Sequence, residues 1–152
     1  MKKESFLVYG AGSWGTALSA QLYAAGNEVF LTSFDKKNVQ KIKKNRENKK
    51  YLPGVTLHKD IGVGMVEDAS IERASAILVC VKSPGFMQAI EALGPKISNK
   101  KILWATKGFS LSDGSFFSSA IEGLFGGSIK TGVISGPTFA EELAAGKPTA
   151  MT

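Results

Sequence analysis

The chain has 152 residues, of which 43% are hydrophobic and 21% charged, with a formal net charge of +6. That length fits one domain, since a single core spans about 100–200 residues, and the composition is that of an ordinary soluble globular protein. It excludes a membrane span, because no apolar run approaches the roughly 20 residues required. The opening Met1-Lys2-Lys3-Glu4 leads into an apolar run too short for a secretory leader, so no targeting segment is expected.

In chain order, short β-rich runs alternate with helical stretches, which argues for parallel βαβ units. The first strand is Phe6-Leu7-Val8-Tyr9, with no polar alternation, as expected when both sheet faces are covered. A helix rich in Ala and Leu follows from Ser13 to Ala25 and is ended by Gly26-Asn27. Glu28 to Thr32 is the second strand. Much of the basic excess then lies between Lys36 and Lys50, where Val39 and Ile42 at i, i+3 predict a short surface helix with a solvated basic face. The same charge attracts anions, and a dinucleotide and a phosphorylated substrate are both anions. Nucleic acid is not expected, since no aromatic residue interleaves with these lysines before Tyr51.

A loop around Tyr51-Leu52-Pro53-Gly54 comes next, then a short strand from Gly62 to Val66 and a short helix from Ser70 to Ser75. Ala76 to Val81 reads as a buried strand. The lone Cys80 lies inside it, so it is read as a small core residue, and its lack of a disulfide partner fits a reducing cytoplasm. Phe86, Met87, Ile90 and Leu93 recur at helical spacing until Gly94-Pro95. Lys101 to Ala105 is a strand, Phe116, Ala120, Ile121 and Leu124 mark an amphipathic helix, Thr131 to Ser135 is a strand, and Thr138 to Ala145 a helix. Pro148 to Met151 begins a further element, so the ending at Thr152 reads as a truncation. His58 has no Cys or His companion nearby and is read as a loop residue; no metal site is expected.

Gly10-Ala11-Gly12-Ser13-Trp14-Gly15 stands directly after the first strand and opens the first helix, with Asp35 about twenty residues beyond. In this context the glycines have separate tasks. Gly10 allows the tight turn, Gly12 lets a pyrophosphate approach the backbone, and Gly15 allows close packing of the helix. The helix N-terminus then offers unpaired N–H groups and a positive dipole end, with Ser13 and Trp14 in its first turn. These features predict an α/β fold, a doubly wound, mostly parallel Rossmann-type sheet binding NAD or NADP. At the adenine end Asp35 either accepts a hydrogen bond from the ribose 2′-OH, which favours NAD, or caps the following helix. Phe34 either lies against the adenine or packs locally, and Tyr51 completes the candidate cofactor set.

Four segments resemble the N-terminal half of the NAD(P)-dependent glycerol-3-phosphate dehydrogenases of bacterial type. They are Gly10 to Ala17, Tyr51-Leu52-Pro53-Gly54, Trp104-Ala105-Thr106-Lys107-Gly108 and Ile134 to Leu143, in the family's order. The resemblance implies hydride transfer between sn-glycerol 3-phosphate and dihydroxyacetone phosphate, supplying phospholipid backbones in the cytoplasm, by a protein that is a homodimer at full length. It implies that Ser13, Trp14 and Ala140 contact cofactor, that Lys107 lies between cofactor and substrate, and that Gly136 and Thr138 touch substrate. Lys107 follows an apolar strand, so its ammonium is expected at the carboxyl edge of the sheet, where it can stabilise a developing oxyanion. Thr138-Phe139-Ala140-Glu141 also has the capping-box pattern, which is a sufficient structural role for Thr138.

The chain departs from the family in three ways. Phe34 stands where many bacterial relatives have Arg or His, leaving Lys36 or Lys37 to balance a 2′-phosphate, and this favours NAD over NADP. Val81-Lys82-Ser83-Pro84 shifts the proline of the family's Val-Pro-Ser. The helical C-terminal domain, which carries the family's general acid/base lysine and binds the substrate phosphate, is absent from residues 1–152. The chain alone is therefore expected to bind cofactor with little turnover, and to expose an apolar face near Phe139 and Leu143. The competing readings are another two-domain dehydrogenase, such as a ketopantoate reductase or hydroxyacyl dehydrogenase, and a non-enzymatic NAD-sensing module.

Overall fold

Successive side chains on a strand face opposite ways, so an unbroken apolar run must be covered on both sides. The computed structural model, which describes residues 3–152 except Ser98, Ser112 and Ser128, shows this covering. Strand β1 (Ser5–Tyr9) places Leu7 in one apolar cluster and Val8 in another. Strand β6 (Ala76–Val79) does the same, with Ile77 and Val79 on one side and Leu78 on the other. Val8 lies in register with both Leu31 and Leu78.

Strands β2 (Glu28–Thr32), β5 (Gly62–Gly64), β7 (Lys101–Trp104) and β8 (Lys130–Val133) join β1 and β6. These six strands form the main sheet, all in parallel pairings, in the order β5-β2-β1-β6-β7-β8. Helices α1 (Ser13–Ala24), α2 (Lys36–Asn45) and α5 (Ala140–Ala144) cover one face around Leu18, Ile42 and Leu143. Helices α3 (Phe86–Leu93) and α4 (Phe117–Phe125) cover the other around Phe86, Ile90 and Ile121. This is the doubly wound Rossmann order, with β1 at the centre and the direction of winding reversing between β1 and β6.

Several boundaries differ from the sequence expectation. The loop at 51–54 is instead the start of β4 (Leu52–Thr56), paired antiparallel with β3 (Glu47–Asn48). Leu52 is fully buried, and this burial in the core on the α1 side anchors a segment whose Pro and Gly suggested a free turn. The helix expected at 70–75 is a single 3-10 turn, Ile71–Arg73, tied down by buried Ile71. The helix expected from Thr138 begins only at Ala140, with Phe139 as its cap residue and no side-chain capping bond. The capping box does not form, because the Thr138 hydroxyl is directed to the Ala150 carbonyl at 3.3 Å. Residues 148–152 form no new regular element; Thr152 exchanges two backbone hydrogen bonds with Ser135, at 2.8 and 3.0 Å. Of the apolar face expected near α5, Phe139 is exposed but Leu143 packs into the core, where its carbonyl accepts a bond from Gln21 Nε2 at 2.7 Å.

Candidate functional site

The glycine loop leaves β1 at the switch point and is fixed by its own backbone. Gly10 has φ of +117°, donates its N–H to the Thr32 carbonyl at 3.0 Å, and lies so near the β6 end that an added Cβ would sit 2.4 Å from the Cys80 carbonyl oxygen. Gly15 is tighter still, since a Cβ there would stand 1.9 Å from the Gly10 carbonyl oxygen. Gly12 is different. An added Cβ would meet no heavy atom within 4 Å, so its missing side chain leaves room outside the fold.

Gly12 is also the N-cap of α1 and supplies no side-chain capping bond. The Thr16 hydroxyl donates back to the Gly12 carbonyl at 2.7 Å. No side chain caps the first N–H groups of α1, and the space beside Gly12 lies open at this positive end of a 12-residue helix. A pyrophosphate fits this cradle, and Gly10, Gly12, Ser13, Trp14 and Gly15 are the residues that would hold it.

Asn48, which sequence reasoning passed over as part of the basic stretch, supports the loop from behind. It is fully buried, and its Nδ2 donates to the Ala11 carbonyl at 2.9 Å and to Thr16 Oγ1 at 2.8 Å. Its Oδ1 accepts from Asn38 Nδ2 of α2 at 3.3 Å. The Ala11 carbonyl is thereby turned inward and satisfied, away from the space an anion would occupy. No periodic pattern signals such a residue; only the return of β3 beneath the loop reveals it.

After β2, Asp35 caps α2, with Oδ1 accepting the Asn38 N–H at 3.0 Å. Its Oδ2 pairs with Lys50 Nζ at 2.9 Å, and Lys50 also lies 4.9 Å from the centre of the Tyr51 ring. The Lys50 bond, followed by the Asn38 N–H, holds the Asp35 carboxyl below the usual carboxylate range. Lys36 and Lys37, the expected counter-charges, form no ion pair among the described residues. Phe34, which precedes Asp35, is 81% exposed.

Lys107 follows β7 at the carboxyl edge, as expected, and is exposed. It lines a narrow cleft together with Trp14, Ser135 and Gly136, so the start of α1, the loop after β7 and the loop after β8 converge there. A second cleft of about 320 Å³ runs from Lys107 to Phe109 and Phe116. Below Lys107, the Thr106 hydroxyl donates to the Val81 carbonyl at 2.8 Å and ties this loop to the one after β6. Gly136 is packed against the returning chain, where a Cβ would stand 2.2 Å from the Ala150 carbonyl oxygen. Thr138 is buried beside the same carbonyl, and the Ala140 side chain belongs to the core.

A larger cleft than either of these, about 710 Å³, lies elsewhere, at the amino edge between Lys3, Tyr23, Asn27, Asp60 and Arg73. Ligands of open parallel sheets bind at the carboxyl edge, so volume does not mark the site in this molecule. Among the described residues no group of three His, Cys, Asp or Glu is placed to hold a metal ion. His58 instead stacks on Tyr23, with ring centres 4.6 Å apart.

The chain is 38% identical over 150 residues to a glycerol-3-phosphate dehydrogenase [NAD(P)+] of Xanthomonas campestris, which covers 98% of this chain and 44% of the relative. It is 35% identical to the Bartonella tribocorum protein of the same name, covering 100% of this chain and 46% of the relative. The crystal structure of glycerol-3-phosphate dehydrogenase from Coxiella burnetii superposes with a TM-score of 0.91 at 33% identity, over 98% of this chain and 46% of that one. The chain thus spans less than half the length of the relatives it matches. Residues 5–152 match the family model described as NAD-dependent glycerol-3-phosphate dehydrogenase N-terminus, and the chain belongs to that family.

Proposed function

We propose that this chain is the cofactor-binding part of an enzyme that interconverts sn-glycerol 3-phosphate and dihydroxyacetone phosphate. The observation that carries the reading is the convergence of the uncapped α1 N-terminus, Lys107 and the Ser135–Gly136 turn at one edge of the sheet. The bound nicotinamide supplies or accepts the hydride. The chain's own residues bind and orient. The N–H groups after Gly12 hold the pyrophosphate, Trp14 flanks the cleft towards Lys107, and Phe34 and Tyr51 flank the adenosine end. Lys107 places a fixed positive charge beside the reacting carbon, where negative charge grows on oxygen during reduction. Gly136 and Thr138 shape the substrate side of the turn, and Ala140 packs α5 against α1 behind the cofactor.

Proton transfer and capture of the substrate phosphate are assigned to residues beyond these 152, in keeping with the share of the relatives that this chain spans. The reading favours NAD, since Asp35 occupies the ribose position. It places the reaction in the cytoplasm, ahead of phospholipid assembly, without nucleic acid as a partner. It also makes the full-length protein a homodimer, with the exposed Phe109, Phe116 and Phe139 available for contacts between domains. The test is a protein extended to the length of the relatives and assayed with NADH and dihydroxyacetone phosphate. Turnover that the 152-residue chain lacks supports the reading. Reduction of a 2-keto acid with dihydroxyacetone phosphate ignored would replace it with the ketopantoate reductase class.

A further inference from the structure

An acidic side chain after the second strand of this fold reads the ribose 2′-OH and repels a 2′-phosphate. Asp35 holds that position, yet both its oxygens are already engaged, one by the Asn38 N–H at 3.0 Å and the other by Lys50 Nζ at 2.9 Å. The ion pair cancels the charge that would reject a 2′-phosphate, and it places an ammonium where that phosphate would arrive. Lys50 is not a stray surface lysine. It sits in the turn between β3 and β4, whose two ends are fixed by the buried Asn48 and Leu52, and its ammonium rests against the Tyr51 ring. About half its side chain remains exposed, so a ligand can reach it without unfolding the turn. Lys36 and Lys37 add positive charge at the start of α2 but make no ion pair to Asp35.

We infer that Lys50 is a specificity-determining residue that lets this site accept a 2′-phosphorylated dinucleotide in spite of Asp35. The inference rests on the proposed cofactor site and adds to it the source of NADP tolerance. A 2′-phosphate entering here shares the Lys50 ammonium with the carboxylate, while the Asn38 N–H keeps Asp35 in its capping role. For an unphosphorylated ribose, Lys50 stays on Asp35 and contributes little.

The test is fluorescence titration of the chain with NADH and NADPH at one ionic strength, for the wild type, Lys50→Gln, Lys50→Arg and the double variant Lys36→Gln/Lys37→Gln. Lys50→Gln is expected to weaken NADPH by about tenfold or more and to leave NADH within about twofold. Lys50→Arg should retain NADPH binding. Equal loss of both cofactors in Lys50→Gln would overturn the inference, because Lys50 would then only hold the turn. So would a shift in the NADH-to-NADPH ratio as large in the double variant, which would place the preference on the helix. Failure of the wild type to bind either cofactor would instead remove the proposed site itself, and this inference with it.

Discussion

The two sides of the carboxyl edge are built by opposite means. On the glycine-loop side the structure is set by backbone packed on backbone, with Gly10, Gly15, Thr16 and Asn48 buried and the backbone at Gly10 and Gly15 under tight steric control. On the Lys107 side the edge is set by exposed side chains, with Phe109 52%, Val133 54% and Phe139 73% accessible. The first can bind its ligand with what the domain already holds. The second presents a charge and an apolar surface whose use depends on what comes to meet it. On the proposed function, the first side is the cofactor site and the second the start of the substrate site.

This contrast is open to breakage, most severely on the packed side. Gly15→Val forces a Cβ into the Gly10 carbonyl, and denaturant unfolding should show a loss of about 3 kcal/mol or more. A variant as stable as the wild type would mean that the loop is not sterically determined. Asn48→Leu strips partners from the Ala11 carbonyl, Thr16 and Asn38 at once and should cost about 2 kcal/mol in the same assay. The binding readout separates positioning from stability: affinity for ADP-ribose should fall while that for adenosine, which lacks the pyrophosphate, holds.

Cys80 gives a pH test of the same packing. Burial of the thiol pushes it up to about 12 from an ordinary 9.0. The proton is thus held more tightly in the folded state. The contribution is complete below about pH 9 and fades as pH rises towards 12, amounting to about 1 kcal/mol lost by pH 10. Urea midpoints of the wild type and Cys80→Ala should converge across that window. Parallel curves would show the thiol to be wetter than its packing implies. On the exposed side, Lys107→Met should change stability by no more than about 0.5 kcal/mol by thermal unfolding. A larger loss would make Lys107 a structural residue.

Much of the fold was legible because strong periodic signals coincide with two-sided burial. The apolar runs at β1, β2 and β7 and the helical spacing of Phe86, Ile90 and Leu93 reappear to within a residue, while β6 ends at Val79, two residues before the expected Val81. The β3–β4 pair was not legible. Its strands are short, one contains Pro53 and Gly54, and their pairing depends on long-range burial of Leu52 and Asn48. The α5 boundary shifted for a similar reason, since Thr138 finds a tertiary acceptor in Ala150 where the local pattern offered a cap. At the site, residues whose role is written in the local chain, Gly10, Gly12 and Gly15, stand out in sequence. Asn48 and Lys50 act across the fold on Ala11 and Asp35, and no spacing in the chain announces them.

On the proposed function, the space beside Gly12 belongs to a dinucleotide and not to the protein. Titrating NADH into the wild-type chain and into Gly12→Val probes this directly. Since an added side chain there meets no protein atom within 4 Å, the variant should fold with stability within about 1 kcal/mol of the wild type. Its affinity for NADH should nonetheless fall by about tenfold or more. Equal affinity in the two folded proteins would contradict the claim and place the dinucleotide elsewhere.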